Sequence, residues 1–286
     1  MVNIVVGKTQ LSLAPELGGA IAGLACQNKA ILRPWNGVDC KDPFTLASNI
    51  LVPFSNRISG GGFVWDEVFY EIEPNLNDEA CPIHGDGFQR SWEVKQKTLD
   101  SVTLQLNNGH IGPFIYRAEQ LFRLQEDSLK INFKLINLGS EALPFGFGFH
   151  PWFPRNKQTK LQFEASHVWL EDEQYLPKEL IKVSNGSHWD YSSAKMLPAQ
   201  WLNNAWLGWQ GEAKITQGSA FKSVTISASS NLNCAIVHSV DENSDFFCFE
   251  PVSHAVDAHN LPNLPGLKIL KPGQSINADI KFLWEL

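Results

Sequence analysis

Short runs of alternating hydrophobic and polar residues recur along the chain. In residues 102–106, 129–135 and 280–284, every second side chain is hydrophobic, which is the pattern of a strand with one buried face. Glycine, proline and asparagine separate such runs, as in residues 59–62 and 261–266, and these residue types favour turns. The pattern therefore predicts many short strands joined by turns.

Helical periodicity is scarce. Only two segments, residues 45–49 and 176–183, are expected to form a short turn of helix. Many short strands with glycine and proline turns predict an all-β protein, either a sandwich or a barrel. No linker, charge block or internal repeat divides the sequence. Residues 1–286 are therefore predicted to form a single domain, a length that all-β domains reach.

Charge and composition narrow the classes of function. The formal net charge is −7 and the lysines and arginines do not cluster, so neither nucleic acid nor an anionic membrane surface is an expected partner. The N-terminus lacks the pattern of a signal peptide, and no hydrophobic run is long enough to cross a membrane. These features predict a cytoplasmic protein. The five cysteines do not suggest a disulfide framework, because they are scattered: Cys26, Cys40, Cys81, Cys234 and Cys248.

The histidines and cysteines do not predict a structural metal site. The closest pairs are Cys81 with His84 and His254 with His259. Neither pair is repeated with the doubled spacing that structural zinc sites show. We therefore expect no metal.

Three segments carry residues suited to chemistry. Arg57 lies among hydrophobic residues, where its charge needs a partner if it is buried; a surface ion pair before a hairpin is the alternative. His150 lies in a run of aromatic residues and glycines, so it either completes the core or exchanges protons with a ligand for which the glycines leave space. Glu250 ends a hydrophobic run, where burial would raise its pKa and make it a stronger base, unless it caps a strand in water. His84, between small residues, is a weaker signal.

Taken in order, these segments resemble the aldose 1-epimerase, or galactose mutarotase, family. The resemblance implies a large antiparallel β-sandwich with a sugar bound in an open groove on one face. It also implies activity without a metal or organic cofactor. The expected partner is a small-molecule sugar substrate, and the protein is expected to be a monomer or homodimer. The resemblance rests on the order and spacing of four motifs: Asn56-Arg57-Ile58, His84-Gly85, Gly148-Phe149-His150-Pro151-Trp152-Phe153 and Glu250-Pro251.

Carried over position by position, the resemblance makes Glu250 the general base and His150 the general acid. Asn56, Arg57 and His84 are expected to bind sugar oxygens. The implied reaction interconverts the α and β anomers of a free aldohexose by opening and closing the ring. One base for the proton on O1 and one acid for the ring oxygen, on opposite sides of the anomeric carbon, would suffice.

One position departs from the family pattern. Where an aspartate is expected in a Leu-Asp-Asn element, this chain has Asn203. Asparagine keeps one acceptor oxygen but lacks the charge that strengthens hydrogen bonds to sugar hydroxyls. The change predicts weaker sugar binding or a preference for a different sugar, and Asn203→Asp is expected to tighten binding of an ordinary aldohexose.

Three other functions are open at this point. A non-catalytic sugar-binding protein is favoured only by Asn203. A glycosidase would need two carboxylates flanking the scissile bond, and only Glu250 stands out. A sugar-phosphate epimerase would need cations near the groove, whereas the candidate arginines are scattered along the sequence: Arg57, Arg90, Arg123 and Arg155.

Overall fold

A computed structural model describes residues 1–35, 37, 43–218 and 221–286 of the chain. Almost all of the regular structure in these residues is β. The strands are, in chain order, β1 (Val2–Val6), β2 (Thr9–Ala14), β3 (Ala20–Cys26), β4 (Lys29–Ala30), β5 (Ser48–Leu51), β6 (Gly62–Trp65), β7 (Val68–Glu71), β8 (Glu93–Lys97), β9 (Ser101–Ile111), β10 (Phe114–Leu124), β11 (Ser128–Asn137), β12 (Leu143–Phe145), β13 (Gly148–Pro154), β14 (Lys160–Phe163), β15 (His167–Glu171), β16 (Pro177–Lys182), β17 (Lys195–Met196), β18 (Leu202–Leu207), β19 (Glu212–Thr216), β20 (Ser223–Ala228), β21 (Cys234–Ser239), β22 (Phe246–Val252), β23 (Lys268–Leu270) and β24 (Ser275–Glu285).

The strands form two large sheets. In the described residues the front sheet has the order β1-β2-β3-β5-β13-β22-β21-β18-β15-β16, with β4 paired to β3. The back sheet has the order β17-β14-β19-β20-β24-β11-β10-β9-β8. Neighbouring strands run antiparallel in both sheets, as β13 does with β22 and β11 with β24. Two short ladders, β6 with β7 and β12 with β23, lie outside the large sheets.

The two sheets pack face to face through aromatic side chains. On β11 every second residue is buried, as the alternating pattern predicts. One of these, Phe133, contacts Phe149 of the front sheet with ring centroids 6.1 Å apart. Phe282 on β24 contacts Phe153 in the same way at 6.2 Å. The prediction of an all-β antiparallel sandwich is therefore confirmed.

The prediction of two short turns of helix is wrong. Residues 45–49 contain only the end of a 3₁₀ helix, Pro43–Thr45, before β5 begins. Residues 176–183 contain β16, which pairs with β15. Pairing with a neighbouring strand decides the conformation of such short segments over their weak local preference. Two further 3₁₀ turns are Gly87–Gln89 and Ala258–Asn260.

Four of the cysteines are free thiols: Cys26, Cys81, Cys234 and Cys248. Cys40 lies outside the described residues. In the part of the chain that the structure describes, no helix has the length and hydrophobicity needed to cross a membrane.

Side chains alternate between the two faces along the central strands of the front sheet, and this decides which of them point outward. On β13, Phe149 and Phe153 face the core between the sheets, because successive side chains of a strand point to opposite faces. His150 and Trp152, the residues between them, therefore point to the outer face. On β22 the same rule places Phe247 and Phe249 in the core. The other face of the sheet is thus open to carry polar groups.

Candidate active site

A pocket of about 810 Å³ lies on the outer face of the front sheet. Its floor is formed by central strands and its walls by loops from distant parts of the sequence. Folding brings all six predicted site residues to the lining of this one pocket: Asn56, Arg57, His84, His150, Asn203 and Glu250.

The floor of the pocket holds His150 and Glu250 side by side. β13 and β22 pair so that Gly148 faces Val252 and Trp152 faces Cys248, and this register places His150 opposite Glu250. Their side chains approach to 3.5 Å between Nε2 and Oε1. The two groups are thus adjacent, and the expected placement on opposite sides of a substrate carbon is not what the fold provides.

Burial makes the uncharged forms of this pair the favoured ones. Glu250 is 3% exposed and His150 is 8% exposed. Desolvation raises the pKa of Glu250 well above its usual value and lowers the pKa of His150 well below its usual value, because a charge is costly to remove from water. Glu250 Oε2 and His150 Nδ1 have no hydrogen-bond partner among the described residues. The pair is therefore buried, close and incompletely satisfied.

An aromatic stack orients the imidazole of His150. Its ring lies on Trp152 with centroids 4.0 Å apart and planes 12° apart. The guanidinium of Arg33 lies 5.1 Å from the Trp152 ring centroid and 4.5 Å from that of Phe246. These contacts restrict rotation of His150 and place a cation at the wall of the pocket.

Two loops are joined beneath the predicted sugar-binding residues Asn56 and His84. The backbone N–H of Asn56 donates to His84 Nδ1 at 3.0 Å, and the backbone N–H of His84 donates to the Asn56 carbonyl at 3.0 Å. Because Nδ1 accepts a hydrogen bond, the proton of the neutral ring is on Nε2. Burial lowers the pKa of His84 to about 3, so the ring stays neutral. His84 is therefore a fixed hydrogen-bond donor at the pocket.

Arg57 has the partner that its hydrophobic surroundings require. Its Nε and Nη2 donate to the two carboxylate oxygens of Glu79 at 3.0 and 2.7 Å. The guanidinium also lies 5.1 Å from the ring centroid of Tyr175. This paired, planar geometry holds Arg57 in one orientation at the rim.

Asn203 is held by a carboxylate from the neighbouring strand. Its Nδ2 donates to Glu171 Oε2 at 2.6 Å, and Trp201 Nε1 donates to Glu171 Oε1 at 2.8 Å. Desolvation raises the pKa of Glu171, although the two hydrogen bonds oppose that shift. Asn203 and Trp201 line the pocket, and Glu171 lies behind them.

The glycines before His150 do not leave space for a ligand, contrary to the expectation. A Cβ at Gly146 would lie 2.5 Å from Nε2 of His254, and one at Gly148 would lie 2.5 Å from Cγ1 of Val252. Protein side chains therefore fill these spaces. His254 uses its position to accept a hydrogen bond from the Ser55 N–H at 3.0 Å, which supports the loop that carries Asn56.

The histidines of the two pairs considered as metal ligands make hydrogen bonds instead. His84 and His254 each use ring nitrogens in hydrogen bonds to the backbone, and neither belongs to a group of three ligands in the described ranges. A group with suitable spacing is formed instead by His150, Cys248 and Glu250, whose ligand atoms lie within 4.8 Å of one another. Burial raises the pKa of the Cys248 thiol well above its usual value, so a metal there would have to displace a strongly held proton.

Several lining residues were missed by the sequence reasoning. Arg33, Glu79 and Trp201 line the pocket but belong to no recognisable motif. Arg33 and Glu79 carry out their roles through contacts with residues distant in sequence, so no local pattern marks them. Trp201 stands two residues before Asn203, which is a signal that could have found it.

Known proteins resemble this chain in sequence and in structure. A family model described as aldose 1-epimerase matches residues 9–283. The uncharacterized protein YphB of Escherichia coli K12 is 35% identical over 280 residues, covering 96% of this chain and 95% of that protein. A crystal structure from E. coli K12, described as a candidate aldose 1-epimerase, has a TM-score of 0.92 and 33% identity, covering 99% of this chain and 98% of that chain.

A galactose mutarotase-like protein of Clostridium acetobutylicum shares the fold with a TM-score of 0.89 at 19% identity, covering 99% of this chain and 94% of that chain. The sandwich with a polar pocket on one face is thus a galactose mutarotase-like fold. The chain belongs to the aldose 1-epimerase family.

Proposed function

We propose that this protein is an aldose 1-epimerase that interconverts the α and β anomers of a free, uncharged aldohexose. The observation that carries the proposal is the buried pair of His150 and Glu250, 3.5 Å apart on the floor of the pocket. In a pyranose, the anomeric hydroxyl oxygen and the ring oxygen are bonded to the same carbon. Two adjacent side chains can therefore reach one oxygen each, and they need not flank the sugar.

The proposed reaction moves two protons through this pair. Glu250 as a carboxylate takes the proton of the O1 hydroxyl while the C1–O5 bond breaks, and His150 as an imidazolium gives its proton to O5. The products are an open-chain aldehyde, a protonated Glu250 and a neutral His150. Rotation about C1–C2 and the reverse proton transfers then close the ring on the other face of the aldehyde. Each positioned group typically contributes on the order of 10²–10⁴-fold to such a rate.

The pair of groups needs only one shared proton for this cycle. Burial favours the uncharged pair, which is the form present beside the open-chain aldehyde. Before ring opening the proton moves from Glu250 to His150, and sugar hydroxyls that donate to the carboxylate would favour that transfer. The donor on His84 Nε2 and the guanidinium of Arg57 are proposed to bind the remaining sugar oxygens together with Asn56 and Asn203.

The charges at the pocket support a neutral substrate over a sugar phosphate. Of the four scattered arginines only Arg57 lines the pocket, and Glu79 already pairs with it. Arg33 is the other guanidinium in the lining, alongside the carboxylates Glu79, Asp245 and Glu250. With Glu250 uncharged in the resting pair, the described lining sets the two guanidiniums against the acidic side chains Glu79 and Asp245. It therefore offers a phosphate dianion no excess of positive charge.

Polarimetry of freshly dissolved α-D-glucose and α-D-galactose tests the proposal. The wild-type protein should accelerate relaxation to the anomeric equilibrium, and Glu250→Gln should reduce turnover on the order of 10²–10⁴-fold while keeping the fold. Glu173→Gln, at an exposed carboxylate, is the matched control and should behave as wild type. Near-normal turnover of Glu250→Gln would refute the assignment of the base, and no acceleration of either sugar would refute the activity.

A further inference from the structure

Glu171 occupies a position that the catalytic scheme does not use. It ends β15, next to β18, which carries Asn203. The two strands pair with Trp169 opposite Ala205, so two residues further along, Glu171 and Asn203 lie at corresponding positions. Each oxygen of the Glu171 carboxylate accepts one hydrogen bond, from Asn203 and from Trp201.

We propose that Glu171 is a positioning residue that fixes the Asn203 amide with its oxygen turned towards the substrate, and so supplies from β15 the carboxylate that residue 203 lacks. The proposal rests on the proposed function, since it assumes that a sugar occupies the pocket. It assigns to Glu171 and Asn203 together the recognition of one sugar hydroxyl that donates a hydrogen bond.

Hydrogen-bond chemistry leaves the Asn203 amide one orientation. An ionised carboxylate only accepts hydrogen bonds, and an indole N–H only donates. Asn203 must therefore present its NH₂ group to Glu171, as it does at 2.6 Å. A flipped amide would place its oxygen against a carboxylate oxygen, where neither atom carries a proton. The orientation of Asn203 is thus set by the charge on Glu171.

The amide oxygen is the group left for a ligand. Asn203 is half-buried and lines the pocket, and within the described residues its side chain makes a hydrogen bond through Nδ2 but accepts none at Oδ1. Oδ1 is also polarised by the charge-assisted bond at the other end of the same amide, which strengthens it as an acceptor. The arrangement therefore offers a sugar hydroxyl an acceptor that a freely rotating asparagine would not hold in place.

Glu171 also fixes one aromatic wall of the pocket. Trp201 is 47% exposed at the rim and contacts His238 at a ring-centroid distance of 4.9 Å. Its hydrogen bond to Glu171 holds the indole at a fixed angle beside Asn203. A single carboxylate thus orients a polar and an apolar contact of the same ligand.

The proposal changes the expected effect of restoring aspartate at position 203. In Asn203→Asp alone, two carboxylates face each other where a hydrogen bond had been, so binding should weaken. In the double variant Asn203→Asp with Glu171→Gln, the glutamine NH₂ can donate to the new aspartate, and the charge has simply exchanged strands. Binding should then return towards the wild-type value.

The experiment measures KM and kcat by polarimetry for wild type, Glu171→Gln, Asn203→Asp and the double variant. Each single change should raise KM roughly tenfold or more, as loss of a charge-assisted hydrogen bond predicts, with kcat within about twofold because the acid and base are untouched. The double variant should recover most of the loss, and Glu173→Gln should have no effect. Unchanged KM in Glu171→Gln, or a double variant that is no better than the worse single one, would overturn the proposal.

Two further measurements separate this proposal from the others. Thermal unfolding of each variant shows whether the fold is intact, and a purely structural role of Glu171 would lower Tm without this pattern in KM. Calorimetric binding of methyl α-D-glucoside and methyl α-D-galactoside, which cannot open their rings, reports recognition alone. Binding that follows the same order of variants, without any catalysis, would overturn the proposed function and support the role of Glu171. Absence of both binding and catalysis in the wild type would overturn both.

Discussion

At the scale of single residues, the protein places two titratable groups where water cannot stabilise their charges. His150 and Glu250 share one proton in the proposed cycle, and burial shifts their pKa values in opposite directions. The pair is inactive when it holds two protons, because the base is lost. It is equally inactive when it holds none, because the acid is lost.

The pH dependence of kcat/KM should therefore be bell-shaped. On the acid limb, the pair takes up its second proton at His150, and because the pKa of His150 is lowered this happens only below about pH 6.5, the ordinary histidine value. On the alkaline limb, the pair loses its last proton from Glu250, and because the pKa of Glu250 is raised this happens only well above about pH 4.3, the ordinary glutamate value. Polarimetry from acid to alkaline pH, with the buffer-catalysed rate subtracted, measures both limbs. Glu250→Gln should abolish the alkaline limb, and a profile that keeps this limb in the variant would show that another group produces it.

At the scale of elements, the loop that carries Asn56 depends on a glycine in a different segment. Gly146 leaves room for the ring of His254, and that ring accepts a hydrogen bond from the backbone of Ser55. Its other nitrogen donates to the Ala255 carbonyl at 2.7 Å. The ring thus links two loops, and the link exists only while residue 146 has no side chain.

Gly146→Ala should destabilise the protein. The new Cβ would displace His254 and break its bond to Ser55, at a cost of about 1–3 kcal/mol in the free energy of unfolding, and KM should rise as the loop shifts. Gly23→Ala is the control, since a Cβ there meets nothing within 4 Å and should stabilise β3 by up to about 1 kcal/mol. Denaturant unfolding compares the two variants, and equal midpoints would contradict this account.

Much of this architecture follows from local sequence patterns, and the rest does not. Alternation in residues 129–135 predicts β11 and the face that it buries, because the period of a strand is local. The pairing of Arg57 with Glu79, or of Asn203 with Glu171, depends on which strands and loops become neighbours in space. The expected helix at residues 176–183 failed for the same reason, since pairing with β15 decides its conformation.

The candidate site was predictable in part. The motifs pointed to His150, Glu250 and four further residues, and in the fold all six line one pocket. Their roles in binding and catalysis stay predictions until they are tested. The glycines before His150 were interpreted as space for a ligand, and only the packed structure shows that His254 and Val252 fill that space.

At the scale of the whole molecule, several histidines are buried in uncharged form. Burial lowers the pKa of His84 to about 3, of His254 to about 4 and of His259 to about 3. Each accepts or donates hydrogen bonds through the neutral ring. In the unfolded chain the same side chains take up protons below about pH 6.5. The unfolded state therefore binds more protons than the folded state over the interval between these values.

Stability should therefore fall steeply as the pH decreases from about 6.5 to about 4, with each of these histidines contributing up to about 1.4 kcal/mol per pH unit. Glu250 and Glu171 act in the opposite direction, because their raised pKa values let the folded state hold protons that the unfolded chain loses. These two groups are outnumbered, because burial also lowers the pKa of His238 to about 4 and the pKa of His150 well below its usual value. Urea unfolding at a series of pH values measures the slope. His259→Phe should reduce this slope by about one proton, and an equal slope in wild type and His259→Phe would contradict the prediction.

The placement of the proposed acid and base on adjacent central strands has a consequence for how such a protein can change over time. Hydrogen bonds between β13 and β22 set the separation of His150 and Glu250, whereas Arg33 and Glu79 come from loops and Glu171 from the end of a strand. Insertions and exchanges in loops are tolerated far better than changes within paired strands. The ligand preference of the scaffold can therefore diversify by changes in these loops, while the paired strands keep His150 and Glu250 at the same separation.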